Sequence, residues 1–170
     1  MDDVSVESRF QAEQFNHQLL KSEELYVNEL NAIILYIVEP LQKNAIQCKI
    51  SRIEVKKVFS YLNAFLEFHM TFLQVINQKI SVMEDFSRYR NFIDMYFDYL
   101  NDFDNITKTF SQWQSIELRE FLSMRLKSDK IKTIIDTNLG SIPWYLYRPF
   151  DRIKEYHRFL RDMEKITNKK

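Results

Sequence analysis

Apolar residues recur along this chain at steps of three and four over long stretches, which lays them along one side of a helix rather than on the alternating face of a strand. From about Ser8 to Val38 the stripe runs Phe15, Leu19, Tyr26, Leu30, Ile33, Ile34 and Ile37, predicting a first helix that Pro40 stops. A polar connection follows from Gln42 to Lys49. Ser51 and Glu54 have the spacing of a capping box, each side chain satisfying a free N–H at the other end of the first turn. A second helix therefore starts there and continues through Val55, Phe59, Leu62, Leu66, Phe72 and Ile76. Ser81 and Glu84 repeat the box and open a third helix, through Phe86, Tyr89, Phe92, Tyr96 and Leu100 to about Asn105. Thr107 to Leu126 reads as a fourth, broken near Gln114 and Ser115. Asp129 caps a short helix through Ile131, Ile134 and Ile135 that Gly140 ends, and Ser141 with Pro143 starts a further turn.

Pro149 lacks an N–H and disfavours helical geometry in the residue before it, so the last helix is expected to begin there. Its stripe is Ile153, Tyr156, Leu160 and Met163 with Phe159 beside it, leaving Arg152, Lys154, Glu155, Arg158, Arg161 and Asp162 in water.

Composition sharpens this to an all-α reading. One Gly and three Pro in 170 residues are too few for the turns of a sheet protein, while 14 Phe and 9 Tyr supply a large core. A lone Gly140 cannot make a phosphate-binding glycine loop or a dinucleotide fingerprint. The single Cys48 forms no internal disulfide and no secretory signal opens the chain, which suggests a reducing, cytoplasmic setting. No apolar run is long enough to span a membrane. Basic and acidic residues balance at 24 each, so nothing pulls the chain toward nucleic acid or acidic lipid. His17, His69 and His157 have no metal-ligand spacing, and His69, on an apolar stripe, reads as a satisfied core or edge histidine. Trp113 and Trp144 read as packing residues, and no metal or cofactor is expected.

The order of residues in the last helix says more than its period. Leu146-Tyr-Arg-Pro-Phe-Asp-Arg-Ile-Lys-Glu-Tyr-His-Arg-Phe-Leu160 resembles the third signature block of the Dbl-homology domain, usually Leu-Ile-Lys-Pro-Val-Gln-Arg-Ile-x-Lys-Tyr-x-Leu-Leu-Leu. Leu19-Leu-Lys-Ser-Glu-Glu-Leu-Tyr-Val-Asn-Glu-Leu30 is similar to the first block, Leu-Leu-x-Thr-Glu-x-x-Tyr-Val-x-x-Leu. Val58 to Leu73 is similar to the family's second long helix, and Tyr96 to Phe103 to its middle block. The match covers about residues 18–167 of what reads as a single domain over 1–170.

The resemblance implies an elongated, flattened bundle of about six helices that acts as a guanine-nucleotide exchange factor for a Rho/Rac/Cdc42-class small GTPase. The family's last long helix, which leads toward a pleckstrin-homology domain, has no room before Lys170, so any such domain lies outside this chain. The implied GTPase-binding residues are Glu23, Tyr26, Tyr147, Arg148, Asp151, Arg152 and Glu155. On the residues alone, Ser22 and Glu23 interrupt an apolar stripe, and such a break reads as a solvated rim. The resemblance makes Glu23 the signature glutamate that draws the GTPase's first switch loop from the nucleotide, while the last helix repacks the second. Tyr147 reads equally well as a core residue, but its place implies contact with a selectivity position of the partner. Asp151 stands for the usual Gln and Glu155 for a base, and a reversed charge at a partly desolvated contact is costly. The alternative is therefore an exchange-inactive scaffold that binds a GTPase or another protein. No covalent chemistry, nucleic acid or membrane insertion is implied. Membrane recruitment, through a lipid-binding domain elsewhere, is compatible with the resemblance.

Overall fold

The computed structural model describes residues 3–77, 91–128 and 142–167. They form an all-α bundle. Helix α1 spans Asp3–Ile33, a π-helical turn spans Ile34–Val38, and α2 (Glu39–Lys43), α3 (Arg52–Asn77), α4 (Asn91–Ser111), α5 (Ile116–Leu126) and α6 (Ile142–Thr167) follow. At about 1.5 Å per residue α1 alone is roughly 46 Å long, so the bundle is elongated. The expected caps at Ser81, Asp129, Gly140 and Ser141 lie outside the described residues.

Local signals explain most of the boundaries. The Ser51 and Glu54 box forms in both directions, each bond 3.0 Å long, and opens α3. Ser115 caps α5 by accepting from the Leu118 N–H at 3.2 Å, and its hydroxyl also donates to the Cys48 carbonyl at 2.7 Å. That second bond ties α5 to the turn before α3. Lys49 in this turn takes a left-handed φ of 57°, and its ammonium meets Glu117 of α5 at 2.5 Å.

Three expectations are corrected. Pro40 does not stop the first helix, which runs on to Lys43. Upstream of this proline, which cannot donate, the backbone widens by one residue, and the Glu39 N–H reaches the Ile34 carbonyl in a π-type bond. Thr107–Ser111 belong to α4, so the chain breaks only at 112–115. Pro149 lies inside α6, which starts seven residues earlier at Ile142. Pro143 fills the opening turn, where a missing N–H is harmless, and Pro149 removes one internal rung, a loss of about 3 kcal/mol that burial of α6 must outweigh. The Tyr99 hydroxyl of α4 donates to the neighbouring Leu146 carbonyl at 2.5 Å and braces the helix at this point.

Side-chain pairings give the layout. Phe15 meets Phe159 edge-on at 5.4 Å, Glu23 meets Arg152, and Glu29 meets Arg148, so α1 and α6 lie side by side and antiparallel. Phe65 stacks on Tyr96 at 4.2 Å and Phe68 on Phe92 at 5.1 Å, which sets α3 and α4 antiparallel behind them. The apolar stripe of α1 is buried as expected from Phe15 to Ile37. On α6, Tyr156 and Met163 are buried while Leu160 is only half-buried. Arg152, expected in water, is 0% exposed.

Candidate functional site

Helical periodicity puts position 23 on the inward side of α1, four residues after Leu19 and three before Tyr26. The chain places a glutamate there and folds polar partners around it. Glu23 is 0% exposed. Its Oε1 lies 2.5 Å from Nδ1 of His69 on α3, and its Oε2 accepts from Arg152 Nη2 of α6 at 2.5 Å and from the Tyr156 hydroxyl. His69 Nε2 lies 2.8 Å from the Tyr96 hydroxyl on α4, which is 3.0 Å from that of Tyr26 on α1. Arg152 also donates to Ser22 at 3.0 Å and to Glu155 at 2.8 Å, and its guanidinium sits 4.2 Å over the Tyr156 ring.

A second arginine extends the cluster. Arg148 donates from Nε to Glu29 at 2.6 Å and from Nη1 to Glu155 at 3.1 Å. Glu155 thus bridges both guanidiniums at the rim of a groove of about 340 Å³ lined by Ser22, Leu25, Arg148, Glu155, Arg158, Phe159 and Asp162. Three carboxylates, those of Glu23, Glu29 and Glu155, face two guanidiniums, which leaves one negative charge if His69 is neutral.

Burial decides how these groups titrate. Alone it would raise the Glu23 carboxyl, but the His69 hydrogen bond and the Arg152 charge outweigh it and hold Glu23 below its ordinary value. For His69 burial dominates and lowers the pKa, outweighing the hydrogen bond and charge of Glu23 with a lesser contribution from the Arg152 charge, so the ring is neutral near pH 7. Burial raises Glu29 despite Arg148, and the charge of nearby Glu155 adds to the rise.

The sign of the pH dependence follows. A native His69 that binds protons less readily than the ordinary 6.5 leaves the unfolded chain holding more protons in the window below that value. Stability is then present above about pH 6.5 and falls as the pH drops, by up to about 1.4 kcal/mol per pH unit for one proton. Glu23 adds a further loss in stronger acid, below its ordinary 4.5. Thermal unfolding followed by circular dichroism should show the melting temperature dropping from about pH 7 to about pH 5, with a shallower drop in His69→Gln. Equal slopes for the two proteins would rule His69 out as the source.

Comparison with known proteins bears directly on this arrangement. The RhoGEF domain model matches residues 16–170, which includes every residue of the cluster. The chain belongs to the RhoGEF domain family. This RhoGEF domain is 25% identical over 167 residues to the Rho guanine nucleotide exchange factor TIAM2 of Homo sapiens, and 25% over 166 residues to its Mus musculus counterpart. It is 22% identical over 172 residues to protein still life, isoform SIF type 1, of Drosophila melanogaster. Each match covers 89% of this chain but only 8% to 10% of the relative, so the chain spans about a tenth of the curated relatives it matches. No solved structure matches it.

Within the RhoGEF domain the residues expected at the site divide by depth. Glu23, Tyr26, Arg148 and Arg152 are buried, whereas Tyr147 is 45% exposed and Asp151 and Glu155 are half-buried. Glu23 is therefore no solvated rim, because two other helices, α3 and α6, supply its hydrogen-bond partners. Sequence reasoning did not connect His69, Tyr96, Tyr156 and Glu29 to it. Two arginines among apolar neighbours, with one histidine on an inward stripe, were the available signal that acids must lie opposite. No helix among the described residues is long and apolar enough to cross a membrane.

Proposed function

We propose that this domain accelerates nucleotide release from a Rho-family small GTPase of the Rho, Rac and Cdc42 class, docking the switch loops on the face between α1 and α6. The observation that carries this reading is that the first and third signature blocks line one groove, with Ser22 and Leu25 on one wall and Arg148, Glu155 and Phe159 on the other. Exposed Leu25 and Tyr147, at 50% and 45%, supply apolar anchors, and Asp151, Glu155 and Arg158 supply polar ones. Glu23, Tyr26 and Arg152 act from beneath, fixing the surface rather than touching the partner, and Arg148 links this buried layer to the groove wall.

Exchange of this kind needs no covalent step. A face that fits the nucleotide-free switch loops better than the loaded ones shifts the GTPase toward release, and about 10⁴-fold acceleration means lowering the barrier to release by roughly 5.5 kcal/mol. An interface of about 1,600 Å² with a few buried anchors can provide it. Residues 18–167 act as one exchange unit, in the cytoplasm where GTPases of this class work, and any membrane recruitment rests on other domains. The scaffold reading is favoured by Glu155, whose carboxylate is already paired with Arg148 and Arg152. Release of fluorescent GDP from a panel of Rho-family GTPases separates the two readings. At least one member should respond by 10²-fold or more. Binding of the nucleotide-free GTPase without acceleration would establish the scaffold instead.

A further inference from the structure

We infer that His69 and Tyr96, on the helices behind the proposed docking face, are positioning residues for exchange: with Tyr26 they form a directed hydrogen-bond relay that fixes Glu23 under Arg152. The inference deepens the exchange reading and rests on it.

The direction of each bond follows from chemistry. An ionised carboxylate only accepts, so His69 Nδ1, 2.5 Å from Glu23 Oε1, must carry the proton. The neutral ring then has a bare Nε2, and the Tyr96 hydroxyl at 2.8 Å donates to it. Tyr96 has spent its one proton and accepts from Tyr26 at 3.0 Å. The Tyr26 ring lies 5.0 Å from the Arg148 guanidinium carbon and 5.5 Å from that of Arg152. Arg152 returns to Glu23 Oε2, and the circuit closes. The imidazole cannot turn within it, since it stacks parallel to Tyr156 at 6.1 Å and meets Tyr26 edge-on at 4.8 Å.

Depth settles how the relay acts. His69 and Tyr26 are 0% exposed and Tyr96 is 5% exposed, so none can touch a GTPase. Their influence reaches the groove through Arg152 to Ser22 and Glu155, and through Arg148, which faces the Tyr26 ring, to Glu155. A histidine fits because it offers one donor and one acceptor on a rigid ring. A glutamine amide offers the same pair at similar spacing, and leucine offers neither.

The test compares the full chain with Tyr96→Phe, His69→Gln and His69→Leu in fluorescent-GDP release, at a temperature where circular dichroism shows every protein folded. Tyr96→Phe and His69→Leu should need about tenfold more domain for half-maximal release, since docking is what the relay prepares. His69→Gln should recover most of that loss. A merely structural role would lower melting temperatures and leave the half-maximal concentration of folded protein unchanged. In the parent chain, ¹⁵N spectra of the imidazole near pH 7 should show a neutral ring protonated at Nδ1, and a proton on Nε2 would overturn the relay whatever the variants do. An active parent beside an equally effective Tyr96→Phe also overturns the relay alone. A parent that accelerates no Rho-family GTPase removes the exchange reading, and this inference with it.

Discussion

Glu23→Ala should destabilise the bundle by about 3–5 kcal/mol, because it strands the fully buried Arg152 without its nearest counter-charge. The loss goes beyond one ion pair, since the His69 N–H and the Tyr156 hydroxyl lose their acceptor in the same step. For a domain of this size the melting temperature should fall by roughly 10 °C. Glu23→Gln keeps an acceptor and should cost less. Pairing Glu23→Leu with Arg152→Met, which removes both charges and keeps volume, should recover at least half of the loss. Denaturant unfolding of the four proteins is the measurement. A loss under about 1 kcal/mol in Glu23→Ala would mean that the carboxylate is in contact with water and free to meet a partner directly.

Glu155→Lys should cost about 1–3 kcal/mol of stability and redraw which GTPases are served. The carboxylate is 28% exposed and holds Arg148 and Arg152 together, so a lysine there sets three cations side by side. The cluster moves from one net negative charge to one net positive charge. Partners that present acidic groups to the α1–α6 groove should gain exchange and those that present basic groups should lose it, both effects shrinking at high salt. Denaturant unfolding combined with the GTPase panel at two ionic strengths checks both halves. Unchanged profiles would place residue 155 outside the interface.

The fold was legible wherever its cause is local. The capping box at Ser51 and Glu54, the break at Ser115 and the inward stripe of α1 all rest on residues within a turn or two of one another, and all formed as the spacing requires. Prolines were less legible because their effect depends on what surrounds them. Pro40 is absorbed by a π-turn and Pro149 is braced by a tyrosine on another helix, neither of which a window of sequence contains. The depth of the site was hidden for the same reason. Periodicity assigns a charged residue to water by default, and the partners that bring Glu23 inside lie 46 to 133 residues away. What the sequence did reveal was that positions 19–30 and 146–160 belong to one device, and the structure joins them through a shared set of charges.

That sharing constrains how such a domain can change over generations. Glu23, Glu29, Arg148, Arg152 and Glu155 compensate one another across two helices more than a hundred residues apart in the chain. A substitution at one of them passes through a state with an unpaired buried charge, costing several of the roughly 5–15 kcal/mol that keep a domain folded. Viable lineages therefore cross this cluster by coupled steps, with a second change on the facing helix before or soon after the first. Surface positions such as Leu25 and Tyr147 carry no such debt and can drift one at a time, so partner preference can diverge while the framework beneath it stands still.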